Sequence, residues 1–208
     1  MHARLRPQGF AFFTILLTIA CICGCATQRP YLMVNYAVPR ISDQLVGQKV
    51  RIEVKDIRQD VQTFTPAAAE HFKDFQNRYS LTWISENKGR IHAGEKDLQE
   101  LFLETFKKRL QQMGAEVVYT DREEIPLFQV LINSMKVDLR ERKWIAQASY
   151  EASLSVDSQI VAREKVSGEG EKPYIIGRKG ADDSLSDIFT SVINKVDIVK
   201  LFEQAKMI

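Results

Sequence analysis

Residues 144–156 read WIAQASYEASLSV, and they alternate along their whole length. Trp144, Ala146, Ala148, Tyr150, Ala152, Leu154 and Val156 fall on one side; Gln147, Ser149, Glu151, Ser153 and Ser155 fall on the other. Successive strand side chains point to opposite faces, so this pattern predicts a strand packed on one face and wet on the other. Upstream, residues 127–139 begin apolar on both faces (Leu127, Phe128, Val130, Leu131, Ile132), as a central strand covered on both sides at one end. The polar link Arg140-Glu141-Arg142-Lys143 joins the two as a hairpin turn. Downstream, a last strand over about 159–170 pairs back and fades into Gly168-Glu169-Gly170.

Helices flank this sheet. In residues 98–113, Leu98, Leu101, Phe102, Phe106, Leu110 and Met113 recur at spacings of three and four, one apolar stripe. Asp97 with Glu100 has the form of a reciprocal N-cap, and Gly114 stands where a helix stops. Lys107, Lys108 and Arg109 sit near the C-terminal end, where the helix dipole favours cations. A C-terminal helix is predicted to start near Ser184, with Asp187 as its capping partner. Its stripe is Leu185, Ile188, Phe189, Val192, Ile193 and Val196, and residues 197–206 continue as a further helical segment. Toward the N-terminus, residues 48–55 alternate around Val50, Ile52 and Val54. Residues 79–85 form a second strand, and residues 115–119 a short one. Residues 59–77, with Thr65-Pro66 and an alanine run, read as a long loop with a helical turn. These elements predict an α/β (α+β) two-layer sandwich: a mostly antiparallel sheet with amphipathic helices on one face.

The N-terminus is unlike the rest. Arg4 and Arg6 precede residues 9–24, GFAFFTILLTIACICG, an uncharged apolar stretch with the layout of a secretory signal. Ile22-Cys23-Gly24-Cys25 has the aliphatic, small-residue and cysteine spacing of a bacterial lipobox, which makes Cys25 the lipidation site. Thr18-Ile19-Ala20-Cys21 is a competing frame with a poorer residue at its first position. An uncleaved membrane helix is the alternative, although sixteen residues fall short of the roughly 20 that span hydrocarbon. The expected organisation is a signal peptide over 1–24, an anchor and tether over 25–47 in which Tyr31-Leu32-Met33-Val34 form a short strand, and one periplasmic domain over 48–208. Ala26 after the cysteine resembles an outer-membrane sorting signal. Arg4 and Arg6 also account for the whole formal charge of +2, so the remainder is balanced. A balanced domain lacks the clustered positive charge that nucleic acid demands. Cys21, Cys23 and Cys25 are the three cysteines of the chain, so the domain has no disulfide.

The order of elements resembles the YajG-like envelope lipoproteins. The likeness rests on the lipobox, a first strand ending in Asp56-Ile57-Arg58, the segment LQELFLETFKKRLQQMGAEVV, a long hairpin and a final helix. It covers roughly residues 48–206, and the loop over 59–77 departs from the pattern. It implies an envelope lipoprotein of unknown biochemical role; the lipobox likeness implies acyl chains, palmitate among them, on Cys25, and Ala26 implies an outer-membrane location facing the periplasm. Stable anchoring takes more than a single acyl chain.

Little in the sequence reads as chemistry. His71 and His92 lie twenty-one residues apart with no cysteine near, a poor start on a zinc site, and each reads more plainly as a loop histidine. Lys88-Gly89-Arg90 has one glycine, too few for a phosphate cradle, and no nucleophile elbow appears. Asp56 and Arg58, two apart on a strand, continue the face of Val50, Ile52 and Val54. They are the candidate partner-binding pair, against the plainer reading of a structural ion pair. The chain is thus expected to be a non-catalytic binding or accessory module for another envelope protein, with no cofactor, no metal and no nucleic acid. An auxiliary subunit of a lipid-transport system is the runner-up, and a periplasmic hydrolase a weaker third.

Overall fold

A computed structural model describes residues 29–120, 122–175 and 177–208; the leader and Cys25 lie outside them. The strands are β1 (Tyr31–Ala37), β2 (Lys49–Asp56), β3 (Arg78–Ser85), β4 (Gly89–Lys96), β5 (Glu116–Val117), β6 (Leu127–Arg140), β7 (Lys143–Val156) and β8 (Gln159–Pro173). The helices are α1 (Pro66–Ala69), α2 (Leu98–Gln112), α3 (Lys179–Lys195) and α4 (Ile198–Gln204). One sheet has the order β5-β2-β6-β7-β8 and the other β1-β3-β4. The β6-β7-β8 meander is antiparallel, β2 runs parallel to β5 and β6, and β1 runs parallel to β3. The architecture is the α+β sandwich expected, with its strands divided between two open sheets.

Sequence and packing agree most closely in the centre. The even-numbered face of β7 is buried, from Trp144 through Leu154. Its small members Ala146, Ala148 and Ala152 leave room for helices laid across them. Phe102 and Phe106 of α2 meet Tyr150 at 5.8 and 5.5 Å, and Phe102 meets Phe189 of α3 edge-on at 5.2 Å. At the start of α2, Asp97 accepts from the Glu100 N–H (2.8 Å) while Glu100 accepts from the Asp97 N–H (3.0 Å). Gly114 ends the helix at φ +90°, a conformation that glycine adopts without penalty.

Three boundaries and one strand differ from the sequence reading. β8 does not fade at its glycines but continues to Pro173. A Cβ on Gly168 would lie 2.8 Å from Ile188 Cδ1 and Val192 Cγ1, so the bare backbone there is the surface on which α3 lies. α3 begins at Lys179 rather than near Ser184. Its first turns carry Gly180, Asp182, Asp183 and Ser184, weak helix formers in isolation, and tertiary bonds override that preference. Ser184 donates to Gly170 O (2.9 Å) inside the helix, and Asp187 pairs with Lys172 (2.6 Å) instead of capping. β4 was unforeseen because its residues, GRIHAGEK, are mostly exposed and carry no apolar alternation. The packed fold also starts well before residue 48. Leu32, Val34 and Tyr36 of β1 are fully buried, so a tether between Cys25 and the fold is confined to a few residues.

Candidate functional site

β1 is an edge strand, and one edge of its backbone is satisfied by a helix. α3 presents Asp182, Ser186, Thr190 and Asn194, each four residues after the last and therefore on one face. Met33 N–H donates to Asp182 (2.8 Å), Asn35 N–H to Ser186 Oγ (2.9 Å) and Ala37 N–H to Thr190 Oγ1 (3.1 Å). Asn194 donates to Ala37 O (3.1 Å) and accepts from the Tyr36 hydroxyl (2.6 Å). An unpaired strand edge invites another strand, and these side chains occupy it. Asp182 is buried, which pushes its carboxyl above the ordinary value despite the Met33 N–H and the Arg29 guanidinium beside it. Arg29 donates to it at 2.8 Å. The chain is therefore pinned to α3 at the point where it enters the fold.

Around that entry one end of the molecule is assembled from distant segments. Arg178 donates to the main-chain carbonyls of Arg29 and of His71 and lies over the Phe72 ring at 4.7 Å. His71 stands edge-on to Trp144 (5.5 Å) and tilted against Tyr174 (5.5 Å), so this histidine is packed among aromatic rings rather than simply solvated. Tyr174 N–H donates to Arg142 O (2.7 Å), which brings in the β6–β7 turn. Glu141 and Arg142 both have positive φ (47° and 62°) there, the backbone of a tight two-residue hairpin. His92 sits exposed on β4, opposite Thr82, in a different sheet. Among the described residues, no group of three His, Cys, Asp or Glu side chains could hold a metal ion. No helix among them is long and apolar enough to cross a membrane.

Asp56 and Arg58 are brought together with each other. Arg58 grips the Asp56 carboxylate through Nε (2.9 and 3.1 Å) and Nη2 (2.8 Å), and its N–H donates to the same group (3.2 Å). The Arg58 side chain is 7 % exposed and that of Asp56 24 %. Beyond them the loop rejoins the sheet: Val137 N–H donates to Thr63 O (2.7 Å) and Thr65 N–H to Val137 O (3.1 Å). Asp138 holds that return by accepting from the Thr65 hydroxyl and from Arg140, while Lys136 reaches Asp60 and Gln62 O. The cleft of about 240 Å³ between loop and sheet is thus lined by acids and bases in direct contact with one another.

A second depression, about 590 Å³, lies past the other end of β1. Arg40, Ile41, Lys88, Lys108 and Gln112 line it; Ile41 is 70 % exposed. Lys108 lies over the Trp83 ring at 5.2 Å. β1 has seven residues, so the two ends are separated by roughly 20 Å of strand.

Sequence reasoning missed Asp182, because it fell ahead of the expected helix start. It missed Arg109 by assigning it to the dipole of its own helix. Arg109 is instead buried and donates to Ile193 O, Asn194 O (3.3 Å) and Val196 O (2.7 Å), the terminal carbonyls of α3. Its place on the stripe, three residues after Phe106 and four before Met113, was the available signal.

The fold and these contacts define a small α+β domain whose N-terminal strand is locked against its last long helix. No family model matches the chain, and no curated protein matches it in sequence. Among solved structures it is similar to a Xanthomonas campestris protein described by the DUF330 family model. That match has a TM-score of 0.51 at 12 % identity, covering 84 % of this chain and 94 % of that one. A Helicobacter pylori protein described as a neuraminyllactose-binding hemagglutinin homolog superposes with a TM-score of 0.37 at 8 % identity, over 82 % of this chain and 96 % of its own. The first is a likeness of fold alone.

Proposed function

We propose that this chain is an envelope lipoprotein, anchored through acyl chains on Cys25, whose folded part is a non-catalytic binding module for another envelope component. One observation carries the reading: the fold begins almost at the lipobox. Arg29, four residues after Cys25, is already bonded to Asp182 of α3. Four residues of extended chain span at most about 14 Å. An acylated Cys25 therefore holds this end of the domain close to the bilayer and leaves the groove of Arg40, Ile41, Lys88 and Lys108, at the far end of β1, open to a partner. The outer-membrane, periplasm-facing location and the YajG-like resemblance belong to the same reading.

Two measurements test it. Fatty-acid labelling of growing cells is expected to mark the wild-type chain and to vanish in Cys25→Ser, which also loses normal processing. A photoreactive residue in place of Ile41 is expected to capture one discrete protein in intact cells. A Cys25→Ser chain that stays at the membrane with unchanged size contradicts the anchor. Turnover of a substrate, abolished by one polar substitution, contradicts the non-catalytic role.

A further inference from the structure

Ile175, in the loop joining β8 to α3, is 72 % exposed, the most exposed large apolar side chain among the described residues. A lone exposed isoleucine is ordinary on a protein surface. This one has particular surroundings. From Lys172 to Ala181 the sequence KPYIIGRKGA carries Lys172, Arg178 and Lys179 and no acid. The loop is braced on both flanks: Tyr174 N–H donates to Arg142 O, and Arg178 to the carbonyls of His71 and Arg29. The Tyr174 ring leans on Trp144 at 5.8 Å and on His71 at 5.5 Å. Gly180 belongs to the same support, since a Cβ there would come within 2.6 Å of Trp144 Cδ1 and 2.9 Å of Pro173 O. The braced flanks thus leave an isoleucine out in water, where it forgoes the free energy of burial.

The anchor decides what that side chain meets. Arg178, three residues from Ile175, is bonded to Arg29, and Arg29 stands four residues from Cys25. We propose that Tyr174 and Ile175 form a second membrane contact, resting on the anchored reading above. Ile175 enters the boundary between headgroups and acyl chains of the bilayer that holds Cys25. Tyr174 sits at headgroup level with its ring backed by Trp144, as aromatic side chains do at membrane interfaces. Lys172 and Lys179, which flank it, are paired with Asp187 and Asp183 of α3, so the apolar and aromatic side chains carry the contact. An acyl anchor alone leaves a domain free to swivel; a second apolar contact beside it fixes the orientation and strengthens attachment.

The test uses the full chain in the membranes of growing cells, with photoreactive benzoylphenylalanine in place of Ile175 or, as a control at the far end, of Lys88. After illumination the purified chain is weighed whole and the state of Cys25 is read from the same spectrum. The expected result is a phospholipid adduct at position 175, none at position 88, and an acylated Cys25. An acylated Cys25 with no lipid adduct at 175, or with a protein adduct there, overturns the membrane contact while leaving the anchor in place. A lipid adduct at 175 on a chain whose Cys25 is unmodified overturns the anchor while leaving the contact in place. Ile175→Asp keeps the bracing residues intact and is expected to reach normal abundance; benzoylphenylalanine in place of Lys179 is expected to give a lipid adduct beside Ile175 and to lose it in the Ile175→Asp background. Retention of that adduct would also contradict the proposal.

Discussion

Arg58 holds a carboxylate two residues back through Nε and Nη2, with its own side chain 7 % exposed and that of Asp56 24 %. Charge-assisted hydrogen bonds of this kind contribute about 1–3 kcal/mol, so Arg58→Ala is expected to lower unfolding free energy by that amount in denaturant titration. Unchanged stability together with an altered crosslinking pattern would restore the pair to the partner-binding role read from the sequence. Asp56 and Asp138 also set an acid limit. Burial pushes both carboxyls up, but hydrogen bonds from Arg58 to one, and from Thr65, Arg140 and the Leu139 N–H to the other, outweigh it and leave both below the ordinary value of 3.8. The unfolded chain therefore takes up protons first as the pH falls. Their stabilising contribution is complete above 3.8 and drains away as the pH drops through the lower native values. Asp138→Asn is expected to flatten the fall in stability below about pH 4. An acid limb as steep as that of the wild type would mean that Asp138 is not held this way. The pairing of Asp56 and Arg58 was legible in the sequence as the plainer reading of two charges on one strand face; the depth at which Arg58 sits was not, because it depends on how β2 leaves the sheet.

Among the elements, α3 does the most varied work. Its apolar stripe covers β7 and β8, and its polar stripe replaces the missing neighbour of β1. Ser186→Ala leaves the part-buried Asn35 N–H without an acceptor and is expected to cost about 1–3 kcal/mol, whereas Thr190→Val leaves the exposed Ala37 N–H to water and is expected to cost less. Hydrogen exchange is the sharper measurement: the Asn35 and Ala37 amides are expected to exchange faster in these variants while α2 amides keep their protection. Equal exchange in variant and wild type would show that the helix does not seal the edge. The strongest elements were readable because their apolar residues repeat with the period of the structure, as in β7 and α2. The weaker ones failed for nameable reasons. β4 buries too little to leave a pattern, and the opening turns of α3 are polar because they face a backbone edge rather than water. The glycines of β8 looked like an ending because a docking surface for a helix leaves no side chain to read.

At the scale of the molecule, the first strand is tied to α3, the last long helix, and Arg109 of α2 ties the far end of α3 to the core. A pull on the N-terminal chain is therefore borne by α3 and the large sheet beneath it, as an anchored domain requires. The stretch between Cys25 and the fold reads as a long tether in the sequence, and its shortness was not legible there. Residues 26–47 lack a sustained period, and a parallel pairing between β1 and β3 joins segments more than forty residues apart. The most direct test of the anchored reading is the whole-molecule mass of the chain extracted from native membranes without proteolysis. The expected mass is that of residues 25–208 carrying acyl chains on Cys25. A chain of 208 residues beginning at Met1 with an unmodified cysteine would contradict it.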